Sequence, residues 1–247
     1  MPGRYNSLDM ASKTPLPTWT TPDHECEYLH DRPARMEYCF AIELTPEEYE
    51  ARMNAGWRKF GHLLFRPVCA GCAECRSIRI PVATFTPSRS QTRTLRRNTD
   101  LQVVLGWPSV DAERLDLYHR YHAAQEGIRG WSASTKSEDD YAFSFVENPV
   151  PSAEIAVYDE GRLCAVVLTD ITPNIVSGVY HFYDPAMRDR GIGVFSMLQT
   201  IELARRMGKA YAYFGYYVAD SASLAYKANF RPCELLGADG QWRLADR

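Results

Sequence analysis

Three cysteines stand at Cys69-Ala-Gly-Cys72-Ala-Glu-Cys75. The C-x-x-C-x-x-C spacing keeps three thiols within one loop, close enough to share an ion if a fourth ligand comes from elsewhere. Cys26 is the candidate for that fourth position. An iron-sulfur cluster, zinc, and thiols with no metal all fit the spacing. Cys39, Cys164 and Cys233 lie in or beside apolar stretches and are expected in the core. An odd total of seven cysteines, three of them clustered, suits a metal or redox site in a reducing compartment better than a disulfide framework. Charge around the loop is uneven. Arg58 to Asn98 holds nine Lys or Arg against the single acid Glu74, a balance of +8, whereas Leu101 to Glu160 holds four basic residues against eleven acidic ones, or -7. The whole chain carries only -3, so a polyanion must meet a local basic face rather than a basic coat.

These residues need a scaffold, and 247 residues at 45% hydrophobic and 24% charged supply one large core or two modest ones, which excludes a disordered chain. No stretch approaches the roughly eighteen apolar residues that cross a bilayer, and Met1 to Pro22 lacks an apolar core of signal-peptide length. A cytoplasmic protein with no membrane partner, acting as a monomer, is expected. Residues 1–22 are rich in Pro, Thr and Ser and predict a mobile lead-in. A cysteine-containing region at 23–100 and a larger domain at 101–247 follow. In Leu44-Thr45-Pro46-Glu47-Glu48-Tyr49, Thr45 is an N-cap and Pro46 opens a helix that runs to Asn54 and stops at Gly56. Strands are expected at His62 to Arg66 and Ile78 to Phe85, with the cysteines on a hairpin-like loop between them. Helices are expected at Asp111 to Gln125 and Ser137 to Val146. From Ala153 the pattern turns to sheet: 153–158, 163–169 and 175–183 make an antiparallel meander. A helix at Gly193 to Met207, an aromatic strand at Ala210 to Val218 and a last helix at Ser221 to Ala228 complete the chain.

The order of three antiparallel strands, glycine turn, helix, strand and helix, with the turn Arg188-Asp-Arg-Gly191-Ile-Gly193, resembles the GNAT acyltransferase superfamily, in which backbone N–H groups at such a turn hold a pyrophosphate. The fold class expected is α+β: a GNAT-like acyltransferase core, an antiparallel-rich mixed sheet flanked by helices, with a smaller N-terminal cysteine-containing α/β region. More of the chain resembles a narrower family. The segments Cys26-Glu-Tyr28-Leu29 with Arg32 and Arg35, Phe65-Arg66-Pro67-Val-Cys69 through Arg76, Pro87-Ser88-Arg89-Ser90-Gln91 with Arg96-Arg97-Asn98, Tyr180-His181-Phe182-Tyr183-Asp184-Pro185, and Ala225-Tyr226-Lys227-Ala228 with Phe230-Arg231-Pro232 are similar to those of the bacterial aspartate/glutamate leucyltransferases, relatives of the arginyl-tRNA-protein transferases.

That resemblance implies an aminoacyltransferase that moves leucine from leucyl-tRNA to the N-terminal Asp or Glu of a protein, marking it for degradation by the N-degron route. The Cys26-Glu-Tyr28-Leu29 start favours leucine as donor. Arginyl transfer by the same chemistry and an acetyl-CoA-dependent N-acyltransferase are the alternatives. The donor is an activated ester, so the reaction needs positioning and oxyanion stabilisation more than a strong base, and no cofactor is required for it. Recognition of an acidic N-terminal side chain calls for a guanidinium fork, for which Arg76 and Arg79 are the candidates. Arg89, Arg93, Arg96, Arg97 and Lys227 are candidates for tRNA phosphates, with Lys59 and Arg66 as weaker additions. Tyr183, His181 and Tyr226 are weak catalytic candidates, and Tyr216 and Tyr217 join Tyr183 and Tyr226 as rings for stacking on the terminal adenosine.

Overall fold

Thr45 caps the first helix as its neighbours require. Its side chain accepts from the Glu48 amide while Glu48 reaches back to the Thr45 amide, and Pro46 occupies the first turn of α1 (Pro46–Asn54). Tyr49 and Met53, four apart, are buried, and Gly56 at φ +88° ends the helix. The computed structural model describes residues 16–129 and 134–246. Residues 1–15 of the expected lead-in lie outside them. The end of that stretch differs from the expectation: Thr18–Thr20 is a strand, β1, paired with residues 37–39.

Four strands make a small sheet in the order β1, β4 (Met36–Phe40), β6 (Leu63–Pro67), β5 (Arg58–Phe60). The short pair β2 (His24–Glu25) and β3 (Pro33–Ala34) stands beside it. Eight strands make the large sheet: β14 (Trp242–Leu244), β13 (Glu234–Leu236), β7 (Arg76–Pro81), β12 (Tyr211–Tyr217), β11 (Ile175–Tyr183), β10 (Arg162–Ile171), β9 (Ser152–Asp159) and β8 (Gln102–Gly106). Every pairing is antiparallel except β11 with β12. The meander β9 to β11 forms as predicted, its first turn made by Glu160 and Gly161 at positive φ.

The cysteine loop is not a hairpin. Its flanking strands β6 and β7 belong to different sheets, so the loop carries the chain from one to the other. β7 also ends earlier than expected, because the Thr84 and Phe85 amides turn back onto the Pro81 carbonyl.

Helices cover both faces of the large sheet. Leu117, Tyr118 and Tyr121 of α3 (Ala112–Arg129) pack with Tyr141 and Phe145 on Val166 and Leu168. The short helix expected over Ser137 to Val146 forms as the four-residue α4 (Glu138–Tyr141) continued by a π-helix at Ala142–Val146. The small sheet and α1 lie on the same side, where Cys39, Tyr49, Met53 and Leu64 meet Ile175 and Tyr213. The opposite face is covered by α5 (Ile192–Arg206), whose Met197, Leu198 and Ile201 pack on Val167, Val176 and Ala212. Cys39, Cys164 and Cys233 are all buried, as expected.

Arg89–Arg97 of the basic segment forms α2, capped by Ser88 and Gln91. The last helix is shorter than predicted, a 3-10 turn at Ala225–Asn229. No helix among the described residues is long and apolar enough to cross a membrane.

Candidate functional site

The parallel neighbours β11 and β12 pair only at their beginnings, Ile175 with Tyr211, Val176 with Ala212 and Ser177 with Tyr213. Beyond these residues the two strands are no longer paired and part. There the register of β12 with β7 shifts between Tyr213 and Tyr216, with Gly215 at φ +73°, a conformation open mainly to glycine. Rings of the small sheet roof the gap. Phe60 stands 6.1 Å from Tyr180 of β11, Phe65 stands 6.5 Å from Tyr216 of β12, and the two phenylalanines are 5.3 Å apart.

Two cations flank the bulge. Arg58 is buried between the Tyr213 and Tyr216 rings at 5.3 and 5.5 Å, donating to the carbonyls of Trp57 and Gly215 at 2.7 and 3.3 Å. Lys227 donates to the Tyr216 carbonyl at 2.8 Å. Burial of its ammonium, with Arg58 nearby, pulls its pKa down to about 7. It is therefore set apart from the exposed arginines with which it was grouped as a phosphate ligand. Tyr226 is its neighbour on the same turn, while His181 and Tyr183 stand on β11 across the gap, their rings stacked at 6.1 Å.

A cavity of about 310 Å³ opens beside the cysteine loop, lined by Cys69, Cys72, Cys75, Arg66, Arg76 and Tyr216 among others. Arg76 donates to the Leu236 carbonyl at 3.3 Å, and no described carboxylate lies within ion-pair distance of it. Arg66 bonds Glu37 at 2.6 Å and covers the Trp57 ring at 4.7 Å. Arg79, the other candidate for an acidic side chain, is engaged within the fold. It pairs with Glu234 at 2.6 Å, lies between the Tyr211 and Trp242 rings at 3.8 and 4.1 Å, and its side chain is 12% exposed.

The cysteines gather without forming a ligand shell. Burial and the neighbouring Cys26, Cys69 and Cys72 push the Cys75 thiol up to about 12. Cys69 is turned to the backbone of Arg35, accepting from its amide at 3.4 Å and donating to its carbonyl at 3.7 Å. Among the described residues no group of three or more His, Cys, Asp or Glu is arranged to hold a metal ion. Zinc or an iron-sulfur cluster at the expected set Cys26, Cys69, Cys72 and Cys75 is thus not supported.

On α2 the residues Arg89, Arg93, Arg96 and Arg97 are exposed, at spacings that place them on one face of a helix. Gln91 and Asn98 are buried on the other. The Gln91 side chain donates to the Asn229 carbonyl at 3.2 Å, which ties α2 to the turn bearing Lys227. Lys59 does not reach a surface: it is buried in a pair with Asp170 at 2.9 Å, joined by Asn148 at 2.6 Å. The glycine turn is also occupied from within. A Cβ at Gly191 would meet Thr94 of α2 at 3.3 Å, and one at Gly193 would lie 2.9 Å from the Tyr183 ring. Both glycines here serve close packing.

Arg58, Phe60 and Phe65 are the site residues that sequence reasoning missed. The alternation in Trp57-Arg-Lys-Phe60 assigns Arg58 and Phe60 to one face of a strand, but not the element that face meets.

Two family models describe the chain: arginine-tRNA-protein transferase, N terminus, over residues 24–93, and arginine-tRNA-protein transferase, C terminus, over residues 113–237. An aspartate/glutamate leucyltransferase of Campylobacter jejuni is 36% identical over 217 residues, 87% of this chain and 91% of that protein. Proteins of the same name from Halorhodospira halophila and Aeromonas hydrophila are 36% and 34% identical over 226 and 238 residues, covering 89% and 96% of this chain and 93% and 98% of their own lengths. Among solved structures, FemX aligns at a TM-score of 0.51 with 9% identity, over 89% of this chain and 86% of its own, a likeness of fold.

Proposed function

The chain belongs to the arginine-tRNA-protein transferase family, with the aspartate/glutamate leucyltransferases among its relatives, and from that premise we propose that it transfers leucine from leucyl-tRNA to proteins beginning with Asp or Glu. The observation that carries this reading is the double use of Tyr216, which lines the cavity containing Arg76 and whose carbonyl receives Lys227. A site for an acidic side chain and a site for acyl transfer thereby share one residue. The three-stranded meander, the crossover through α5 and the parting of β11 from β12 support a GNAT-like core. The filling of the glycine turn by Thr94 and Tyr183 argues against acyl-CoA as donor.

Arg76 takes the carboxylate of the acceptor's first side chain, which holds its α-amine beside Tyr216. An α-amine titrates at about 8, so a useful fraction is neutral near pH 7. It attacks the ester carbonyl of the leucyl group. The carbon-nitrogen bond forms, the bond from carbon to the ribose oxygen breaks, and a proton passes from nitrogen to that oxygen. An ammonium has three donors, of which Lys227 commits one to Tyr216. The others face the developing oxyanion and the leaving oxygen, and a pKa of about 7 suits a group that gives a proton and takes one back. The arginine face of α2, anchored at Asn229, carries the phosphates of the acceptor arm.

The test supplies radiolabelled leucyl-tRNA or arginyl-tRNA with peptides beginning Asp, Glu, Lys or Ala. Label from leucyl-tRNA on the Asp and Glu peptides alone is expected. Label from arginyl-tRNA instead would refute the leucine assignment, and no transfer from either would refute the reading.

A further inference from the structure

The face of the small sheet that roofs the gap continues past it. Phe65 is paired across strands with Tyr38, and Tyr38 with Trp19. Their rings extend the row outward: Phe65 to Tyr38 is 6.4 Å, and Tyr38 to Trp19 is 5.9 Å, stacked at 20°. Phe40, 5.8 Å from His62, lies alongside. Trp19 is 49% exposed and Phe40 41%. One end of this aromatic strip therefore covers the parted strands and the other end lies in solvent. Exposed apolar surface continuous with a site marks a binding surface more often than scattered rings do.

Charge narrows the occupant. Residues 16–43, which supply β1, β4 and the chain around them, hold six acidic and two basic residues. The pairs of Arg35 with Asp23 at 2.9 Å and Arg66 with Glu37 at 2.6 Å leave the exposed Glu25, Glu27, Asp31 and Glu43 against Arg32. Unpaired RNA bases would stack on such rings, but their phosphates would face carboxylates, whereas nucleic-acid affinity rests on neutralised phosphates. The exposed arginines lie on α2 instead. A polypeptide meets no such repulsion, and one with lysine or arginine is attracted.

We propose that the strip Phe65, Tyr38 and Trp19 binds the segment of the acceptor protein that follows its acidic first residue, as an extended chain favouring apolar and basic side chains. This rests on Arg76 receiving that first residue, and Tyr216 provides the continuity, lining the Arg76 cavity and standing 6.5 Å from Phe65. At about 3.3 Å per residue, the ring-to-ring steps of 6.5, 6.4 and 5.9 Å take about six residues of chain. A tripeptide cannot reach Trp19 and an octapeptide can.

The experiment compares an Asp-initiated tripeptide with octapeptides of the same start carrying Phe and Lys, or Glu, at positions 3 to 6. Each is measured with the full chain and with its Trp19→Ala, Tyr38→Ala and Trp19→Phe variants. The Phe and Lys octapeptide is expected to show a KM about tenfold below the tripeptide, equivalent to about 1.4 kcal/mol of binding, and the Glu octapeptide no such advantage. Trp19→Ala and Tyr38→Ala should erase the advantage and Trp19→Phe should keep most of it. Tripeptide turnover and the KM for leucyl-tRNA should not move. Equal KM for short and long peptides, or an advantage that survives both alanine variants, would overturn the proposal. A raised KM for leucyl-tRNA alone would assign the strip to RNA and overturn it too. If the tripeptide accepts no leucine from the unmodified protein, the proposed function itself fails.

Discussion

Replacing Lys227 by methionine should make the protein more stable and less active, and the gain should depend on pH in a specified direction. In the unfolded chain this lysine holds its proton up to about 10.5, in the folded protein up to about 7. Below pH 7 both states are protonated and folding carries the full cost of burying the ammonium. Between pH 7 and 10.5 the unfolded state holds the extra proton, so the stability of the native protein rises with pH through that window. A fall of that size corresponds to at most about 5 kcal/mol. The side chain keeps part of its stem open to solvent and its hydrogen bond to Tyr216, so a cost of about 3 kcal/mol is a fairer figure. Methionine fills a similar volume without charge. Urea unfolding of both proteins at pH 6, 7.5 and 9 should therefore find Lys227→Met ahead by about 3 kcal/mol at pH 6, with the difference shrinking at each step upward. A difference that stays constant with pH, or a variant less stable at pH 6, would refute the claim that the ammonium is desolvated. In the transfer assay the same variant should lose at least about a hundredfold in kcat, the scale of general acid-base catalysis.

Arg76→Ala should raise the KM for an Asp peptide by about tenfold or more while leaving the melting temperature within about 2 °C, since only one hydrogen bond to a carbonyl is lost. Arg79→Ala should do the reverse, costing about 2–4 kcal/mol in denaturant titration, because it strips Glu234 of its partner and empties the space between Tyr211 and Trp242. Gly61→Ala should lower the melting temperature by about 5–10 °C, as a Cβ there would sit 2.1 Å from the Phe143 carbonyl oxygen with φ at +51°. Arg93→Ala combined with Arg96→Ala should weaken leucyl-tRNA binding and lower the slope of log affinity against log salt by about one to two, an outcome that titration over increasing salt concentrations tests directly.

How far the fold was legible in the sequence depended on which residue types occupy the buried positions. α1 was legible because Thr45, Pro46 and Glu48 are local signals whose partners lie within three residues. The meander was legible through apolar alternation and the Glu160-Gly161 turn. α2 was not, because its buried side is Gln91 and Asn98, polar residues satisfied by Asn229 and Arg190 from far along the chain, and no apolar period marks it. The hairpin expected around the cysteines failed because strand spacing carries no information about sheet membership. At the site, Arg76 was within reach of inference from its place beside the cysteine loop. Arg58 was not, since the Gly215 carbonyl it serves lies 157 residues away. The commitment of Arg79 was hidden likewise, its carboxylate partner being 155 residues distant.

The placement of β7 bears on how the molecule can be assembled at all. A strand from the first third of the chain lies between β12 and β13 from the last, paired on both sides. A fragment beginning at residue 101 would therefore expose two raw strand edges in the middle of its largest sheet, the arrangement that invites aggregation. The N-terminal fragment would release an interior strand whose Ile78 and Ile80 are fully buried in the whole protein. The closing of that sheet must await the last residues of the chain, so synthesis passes through a long stage in which β7 has no partner.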